Sequence, residues 1–267
     1  MDITTLTLSK DDIKELRKVQ IRLLNELNTV CEKHGLIYWI DFGTLLGAVR
    51  SKDFIPWDDD IDISMPMEDY KKFIKIAATE LPRDIFVQTI ETDPGYKQAM
   101  TKLRDCYSTY IEHYESEETL YHKGIFLDIF PAYNYPNLPK IIRKIMLRVT
   151  LRTRYDAYVR EKNVWINYPI YLLCKFAWWL LLPFKSDRFG QIPEDNGYNY
   201  AVPGKFIFPL QKIKFAGGFY PAPCDTDEYL TQMYGPKYIT PPPNRDRAPH
   251  AKLILPHTPC KHSRAIN

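Results

Sequence analysis

The chain has 267 residues, 45% of them hydrophobic, which is enough to bury a substantial core and excludes a largely disordered protein. A formal net charge of +3 is too small to argue for nucleic acid as a partner. Cys31, Cys106, Cys174, Cys224 and Cys260 are scattered without CxxC spacing, which excludes a disulfide framework or zinc knuckle and suits a reducing cytosol.

The opening MDITTLTLSKDD lacks the basic and apolar regions of a secretory signal, and no stretch of ~18 residues is free of charge or proline. Neither export nor a membrane span is expected. Ser9, with Asp12 three residues on, forms a capping-box variant ahead of Ile13, Leu16, Val19, Leu23, Leu27 and Val30 at helical spacing. Gly35 ends that helix. A strand is predicted over 36–42 and a short helix over 45–50, joined by Gly43 and Thr44. A glycine and a hydroxyl residue at a strand-to-helix junction free backbone N–H groups for an anion.

A Pro56–Trp57 turn then delivers Asp58, Asp59, Asp60 and Asp62. On a strand of period two, Asp58, Asp60 and Asp62 would share one face and repel one another. A hard divalent cation, Mg2+ or Mn2+, would neutralise them, and such ions commonly share their shell with substrate phosphates. A solvated acidic loop and a structural Ca2+ site are the alternatives. Against them stand the interspersed Ile61 and Ile63 and the missing glycine and glutamate of an EF-hand loop.

Pro66 opens a helix predicted over 67–79, with Glu68 and Asp69 as N-terminal caps. Strands are predicted over 85–90, 99–103, 109–112 and 125–130, with a turn at Asp93–Pro94–Gly95. Strands mixed with helices and joined by short turns predict an α+β fold with a mixed sheet. Lys102 and Arg104 lie two apart on a strand, so they share a face and point either at phosphates or at solvent. Arg50 and Lys123 are further candidate phosphate ligands, and His122 is expected at the surface.

From Lys140, the stripe Ile141, Ile142, Ile145, Met146 and Val149 opposes Arg143, Lys144, Arg148 and Arg152, which predicts a basic amphipathic helix. Residues 164–184, with Trp178 and Trp179 adjacent and Lys175 interrupting, suit either an interfacial helix lying on a membrane or a hairpin buried against the core. From Tyr198 the proline, glycine and aromatic content predicts an irregular wrap. Arg245, Arg247 and His250 follow Pro241–Pro242–Pro243 and could cover the site, and a solvated terminus is expected beyond them.

The run from Asp41-Phe42-Gly43-Thr44 to Arg50, and then Phe54-Ile55-Pro56-Trp57-Asp58-Asp59-Asp60-Ile61-Asp62, resembles the signature of the LicD family. Gly124-Ile125-Phe126-Leu127-Asp128-Ile129-Phe130-Pro131 is similar to the family's later strand, which brings in a third carboxylate, and 215–235 resembles its C-terminal block. The family contains bacterial phosphocholine transferases acting on cell-surface glycans, is related to the fukutin group, and belongs to the nucleotidyltransferase-fold superfamily.

The resemblance implies a catalytic core over 1–135, a basic and aromatic helical region over 136–190, and a C-terminal wrap over 191–267. It implies metal-dependent transfer of phosphocholine from CDP-choline to a hydroxyl of a lipopolysaccharide- or teichoic-acid-type precursor, with release of CMP. Asp60 and Asp62 would bridge two metal ions, and Asp128 would bind one of them and help deprotonate the acceptor. Gly43, Thr44, Arg50, Lys102, Arg104 and Lys123 would face the nucleotide. Choline would need an aromatic face, for which Trp57, Tyr96, Tyr107 and Tyr110 lie nearest in sequence. A nucleotidyltransferase, a transferase of another phospho-group, and a non-catalytic glycan- or membrane-binding protein remain alternatives. The implied location is cytoplasmic, peripheral at the inner face of the membrane, with a lipid-linked acceptor.

Overall fold

The computed structural model describes residues 10–113, 115–116, 118–197, 199–243 and 249–263; the expected cap Ser9 and the basic Arg245 and Arg247 lie outside them. In chain order come α1 (Lys10–His34), β1 (Trp39–Ile40), α2 (Phe42–Ser51), β2 (Asp62–Pro66), α3 (Met67–Glu80), β3 (Ile85–Gln88), β4 (Thr101–Asp105), β5 (Thr109–Glu112) and β6 (Phe126–Pro136). There follow α4 (Lys140–Arg154), α5 (Val164–Leu181), β7 (Lys185–Gln191), β8 (Val202–Pro203), the one-turn α6 (Gly204–Ile207), β9 (Gln211–Phe215), β10 (Gly218–Ala222), α7 (Thr226–Tyr234) and β11 (Ala251–Leu255). The architecture is α+β, as the sequence predicts, with helices flanking a sheet.

The chain forms two units. The first takes the described residues up to Ile129, Lys212–Ala222, and those from Ile239 onward. Its sheet runs β1-β2-β6-β4-β3, with β4 antiparallel to both β3 and β6. The register sets Lys102 directly opposite Asp128 and Arg104 opposite Phe126. Facing residues on one side of a sheet touch, so this pairing forces a buried cation onto a buried carboxylate.

Helix α1 anchors this unit through Leu16, Leu23, Leu24 and Leu27, all fully buried, each contributing about 1.5–3 kcal/mol of apolar burial. It also steers the acidic loop. Arg17 donates to the Ile55 carbonyl at 3.1 Å and lies 4.8 Å from the centre of the Phe54 ring, while the buried Gln20 donates to the Asp59 carbonyl at 2.7 Å. Gly35 ends the helix at φ 62°, a left-handed conformation that glycine adopts without steric cost.

Several elements depart from expectation. The strand predicted over 36–42 shortens to Trp39–Ile40, because Asp41 caps the following helix and so ends extended pairing. Asp58 and Asp60 lie in the loop before β2, so only Asp62 of the three stands on a strand. His122 is fully buried, its Nδ1 3.1 Å from the Cys260 Sγ, because the segment after β11 folds over it. That segment is held by the Thr109 hydroxyl, which donates to the Thr258 carbonyl, and by the Ser263 hydroxyl, which donates to that of Cys106.

The second unit takes Phe130–Gln211 and Pro223–Tyr238. Here the later part of β6 pairs antiparallel with β7, and β7 with β8. The α4–α5 hairpin packs around Tyr135, Leu147 and Trp178. Helix α4 buries Arg143, Leu147, Thr150 and Arg154 and turns Ile141, Ile142, Ile145 and Val149 outward. Polar partners explain the choice: Trp178 Nε1 donates to the Thr150 hydroxyl at 3.0 Å, Arg143 Nε donates to Asn199 Oδ1, and the Arg143 guanidinium lies over Tyr135. Among the described residues no helix is long and apolar enough to cross a membrane.

Candidate active site

The site is built where α2 starts and β2 begins. Asp41, almost fully buried, accepts from the Phe42 amide at 2.8 Å as the N-cap of α2 and from the Ser64 hydroxyl at 2.6 Å. The Thr44 hydroxyl oxygen accepts from the Asp62 amide at 2.9 Å, and the Asp41 amide donates to the Asp62 carbonyl at 3.0 Å. These bonds fix the helix start against the strand that carries Asp62. Phe42 itself has φ 44°, a left-handed conformation costing about 1–3 kcal/mol, which the surrounding bonds impose.

Gly43, at the second position of α2, is required by contact. A Cβ there would lie 2.4 Å from Asp58 Oδ2, so only glycine lets that carboxyl sit against the helix N-terminus. Gly43→Ala is therefore expected to lower the kcat/KM of any reaction at this site roughly 10²-fold by displacing Asp58. The melting temperature should hold, since alanine suits the helix. An unchanged kcat/KM would show that the close approach has no bearing on chemistry.

The four aspartates have different surroundings. Asp59 is structural: its two oxygens accept from the His250 and Ala251 amides at 3.1 and 2.8 Å, which ties β11 to the acidic loop. Asp60 lies 3.3 Å from His250 Nδ1. That hydrogen bond, ahead of the opposing effect of burial, raises the imidazole to about 9, so His250 carries a charge at neutral pH. Asp58 is pushed up to about 8, first by burial and then by the charges of Asp60 and Asp59. Burial also raises Asp62 well above the usual carboxylate range, and Asp60, Asp128, Asp58 and Asp41 raise it further. The Asp128 amide donates to the Ile61 carbonyl at 2.8 Å, which makes Asp62 and Asp128 neighbours across adjacent strands. Burial holds Asp128 at about 6 although Lys102 lies 2.8 and 2.9 Å from its two oxygens.

The residues from Gly35 to Arg148 match the family model LicD/FKTN/FKRP, nucleotidyltransferase domain. Over 91% of the chain and 97% of the relative, the sequence is 28% identical to the lipopolysaccharide cholinephosphotransferase LicD of Haemophilus influenzae. Over 35–148, then, the chain carries a LicD-type domain. An uncharacterized protein of Rickettsia prowazekii is 30% identical over 48% of each chain. Ribitol 5-phosphate transferase FKRP of human and mouse is 50% identical over 40 residues, 15% of this chain and 8% of the relative.

The stretch matched by the family model contains the candidate catalytic and nucleotide-facing residues from Gly43 to Asp128, but not His250. Asp62 and Asp128 come together with Lys102, and Glu112 is 4.0 Å from the same amine. Lys102 is thus turned onto carboxylates, with the Phe126 ring centre 3.4 Å from its Nζ. Arg104 is buried, donating to Gln88 Oε1 and the Gly124 carbonyl, both at 2.8 Å. Lys123 donates to the Thr119 carbonyl and lies over Tyr121, and Arg50 donates to the Thr240 carbonyl at 3.3 Å. Arg104 and Lys123 therefore make contacts that order strands and loops. Glu112 and the pairing of Asp60 with His250 were not assigned from sequence: the first is one acid on an ordinary strand, and the second joins residues 190 positions apart.

A divalent cation fits this donor set. Among the described residues, one ligand atom each from Asp58, Asp59, Asp60 and His250 lies within 4.8 Å of the others. Asp128 Oδ1 is buried without a hydrogen bond of good geometry, although Lys102 Nζ is close to it. Crowded carboxylates raised by burial and by one another are what a hard cation would satisfy. Of the three ligands expected from the sequence, Asp60 belongs to this cluster, while Asp62 and Asp128 lie outside it as its electrostatic neighbours.

Proposed function

We propose that this LicD-family transferase moves phosphocholine from CDP-choline to a hydroxyl of a cell-surface glycan precursor, of lipopolysaccharide or teichoic acid type, and releases CMP. The observation that supports the reading is the acidic cluster at the Gly43–Thr44 start of α2, where Asp60, Asp128 and Asp58 all act on the buried Asp62, in a chain that aligns over nearly its whole length with a lipopolysaccharide cholinephosphotransferase. Mg2+ or Mn2+ held by Asp60, Asp62 and Asp128 would supply charge stabilisation at the attacking and leaving oxygens of an in-line displacement.

The chain's own residues would do the rest. The α2 N-terminus, with Gly43 and Thr44, offers backbone N–H groups to the donor phosphates. Arg50 and Lys102 are the basic residues proposed toward the nucleotide, Lys102 being the one that already touches a site carboxylate, whereas the buried Arg104 and Lys123 order the strands and loops around it. Asp128, titrating at about 6, is ionised at neutral pH and can take the acceptor proton as the new O–P bond forms and the bond to CMP breaks. Trp57, half-buried beside Asp58, is the aromatic we propose for the choline headgroup, since Tyr96 and Tyr110 are buried. Five free cysteines and a nucleotide-linked donor fit a cytoplasmic site of action.

Incubation with CDP-choline, Mg2+ and candidate glycans, followed by mass spectrometry, tests the reading. Glycan gaining phosphocholine with equimolar CMP is expected. Glycan gaining CMP would mean nucleotidyl transfer, and transfer of ribitol 5-phosphate from an activated ribitol 5-phosphate control would favour the activity named for FKRP.

The site also sets a pH dependence. Asp58 and His250 both titrate higher in the folded protein than their ordinary values of 3.8 and 6.5. From pH 6.5 to 8 the folded state therefore binds more protons than the unfolded one, so stability falls as pH rises. Below 6.5 the buried His122, lowered to about 4 by desolvation, acts in the opposite sense. Thermal melts should show a loss of a few degrees between pH 6.5 and 8, at roughly 2–4 °C per kcal/mol, and Asp58→Asn should reduce it. A flat or rising profile would contradict the assigned shifts.

A further inference from the structure

The α4–α5 hairpin exposes apolar side chains that a water-facing hairpin would bury. Ile141 and Ile145 of α4 are 69% and 58% exposed, and Trp165, Leu173 and Trp179 of α5 are 94%, 66% and 61% exposed. On α4 the spacing is regular: Ile141, Ile145 and Val149 stand four apart on one face, and Arg143, Leu147, Thr150 and Arg154 make up the buried one. On α5 only Tyr171 and Trp178 are buried, seven residues apart on one stripe, so most of the helix's apolar surface has no covering within the unit. A contiguous exposed apolar face of this kind marks a docking surface.

Charge identifies the occupant. Residues 140–185 carry ten Lys or Arg and two Asp or Glu, a net +8, whereas the whole chain carries +3, so the remainder is net −5. Lys140, Lys144, Arg148 and Lys185 are exposed among these apolar side chains. A symmetric pair of copies meeting through this face would set like charges against one another. A polyanionic surface with an apolar interior satisfies both features at once, with isoleucine, leucine and tryptophan entering the acyl boundary and lysine and arginine reaching phosphates.

We propose that the exposed α4–α5 face docks on the surface of an anionic phospholipid bilayer, lying in the interface without crossing it. The inference does not rest on the donor or acceptor assigned above, and its test uses neither.

The purified chain is sedimented with phosphatidylcholine vesicles containing or lacking phosphatidylglycerol, at low and high salt. Binding to the anionic vesicles at low salt is expected, weakened roughly tenfold or more by K144Q/R148Q and by W165S/W179S. Trp165 and Trp179 are already solvent-facing, so the second variant should fold, which its melting curve verifies. Bromine-labelled acyl chains should quench the fluorescence of the wild type and much less that of W165S/W179S. No binding to anionic vesicles, binding by both variants as tight as that of the wild type, or a concentration-dependent dimer that shields Trp165 without vesicle binding would each overturn the proposal, the last in favour of a second copy.

Discussion

Asp62→Asn is expected to reduce transfer by roughly 10²–10³-fold, the loss of several kcal/mol of cation-derived stabilisation, while raising the melting temperature of the purified chain. The two effects have one cause. Asp62 is buried, and its strongest electrostatic neighbours, Asp60, Asp128, Asp58 and Asp41, are all carboxylates, so its ionised form is held at a cost that an isosteric amide does not bear. Stability sacrificed to assemble a charge cluster returns when the cluster is broken. Steady-state kinetics beside a thermal melt gives both readings from one preparation. Normal turnover in the Asp62→Asn variant would remove Asp62 from the chemistry, and a lower melting temperature together with lost turnover would assign it to the fold.

The second large effect is on stability. Lys102→Met should cost about 3–5 kcal/mol, because it strands Asp128 as a buried carboxylate. Lys102 is 1% exposed and sits between Asp128, Glu112 and the Phe126 ring. Methionine keeps the stem's packing, so the loss isolates the charge. Adding Asp128→Asn to Lys102→Met should recover part of it, since the double variant has one less buried charge without a partner. Urea denaturation of the wild type, the two single variants and the double measures the coupling, and additive losses would show that the pair does not interact.

Sequence made the chemistry legible more than the geometry. The Gly43–Thr44 junction, the acidic run and the Asp128 strand could all be located, since residue types with costly burial stand out against an apolar background. Helix α1 was recognisable from its 3.6-residue apolar period, but not Arg17 and Gln20, which steer the acidic loop through its backbone carbonyls and leave no pattern. Asp58 and Asp60 were expected on a strand with Asp62, yet they lie in the loop before β2, where Asp59 is tied down by the His250 and Ala251 amides. Tertiary hydrogen bonds there override an alternating pattern. Helix α4 shows the converse: its two faces were both legible, but which of them turns inward is decided by Tyr135 on the preceding strand and by Trp178 and Asn199, further along the chain.

The claim that the acidic cluster is a cation-dependent transfer centre is tested most directly by Mn2+ titration, followed by electron paramagnetic resonance, of the wild type and Asp62→Asn with and without CDP-choline. The account predicts Mn2+ bound by the wild type, tighter binding when the nucleotide is present, and loss of both in the variant in step with its transfer rate. Equal Mn2+ binding by the two proteins, or full transfer by the wild type in excess EDTA, would contradict it.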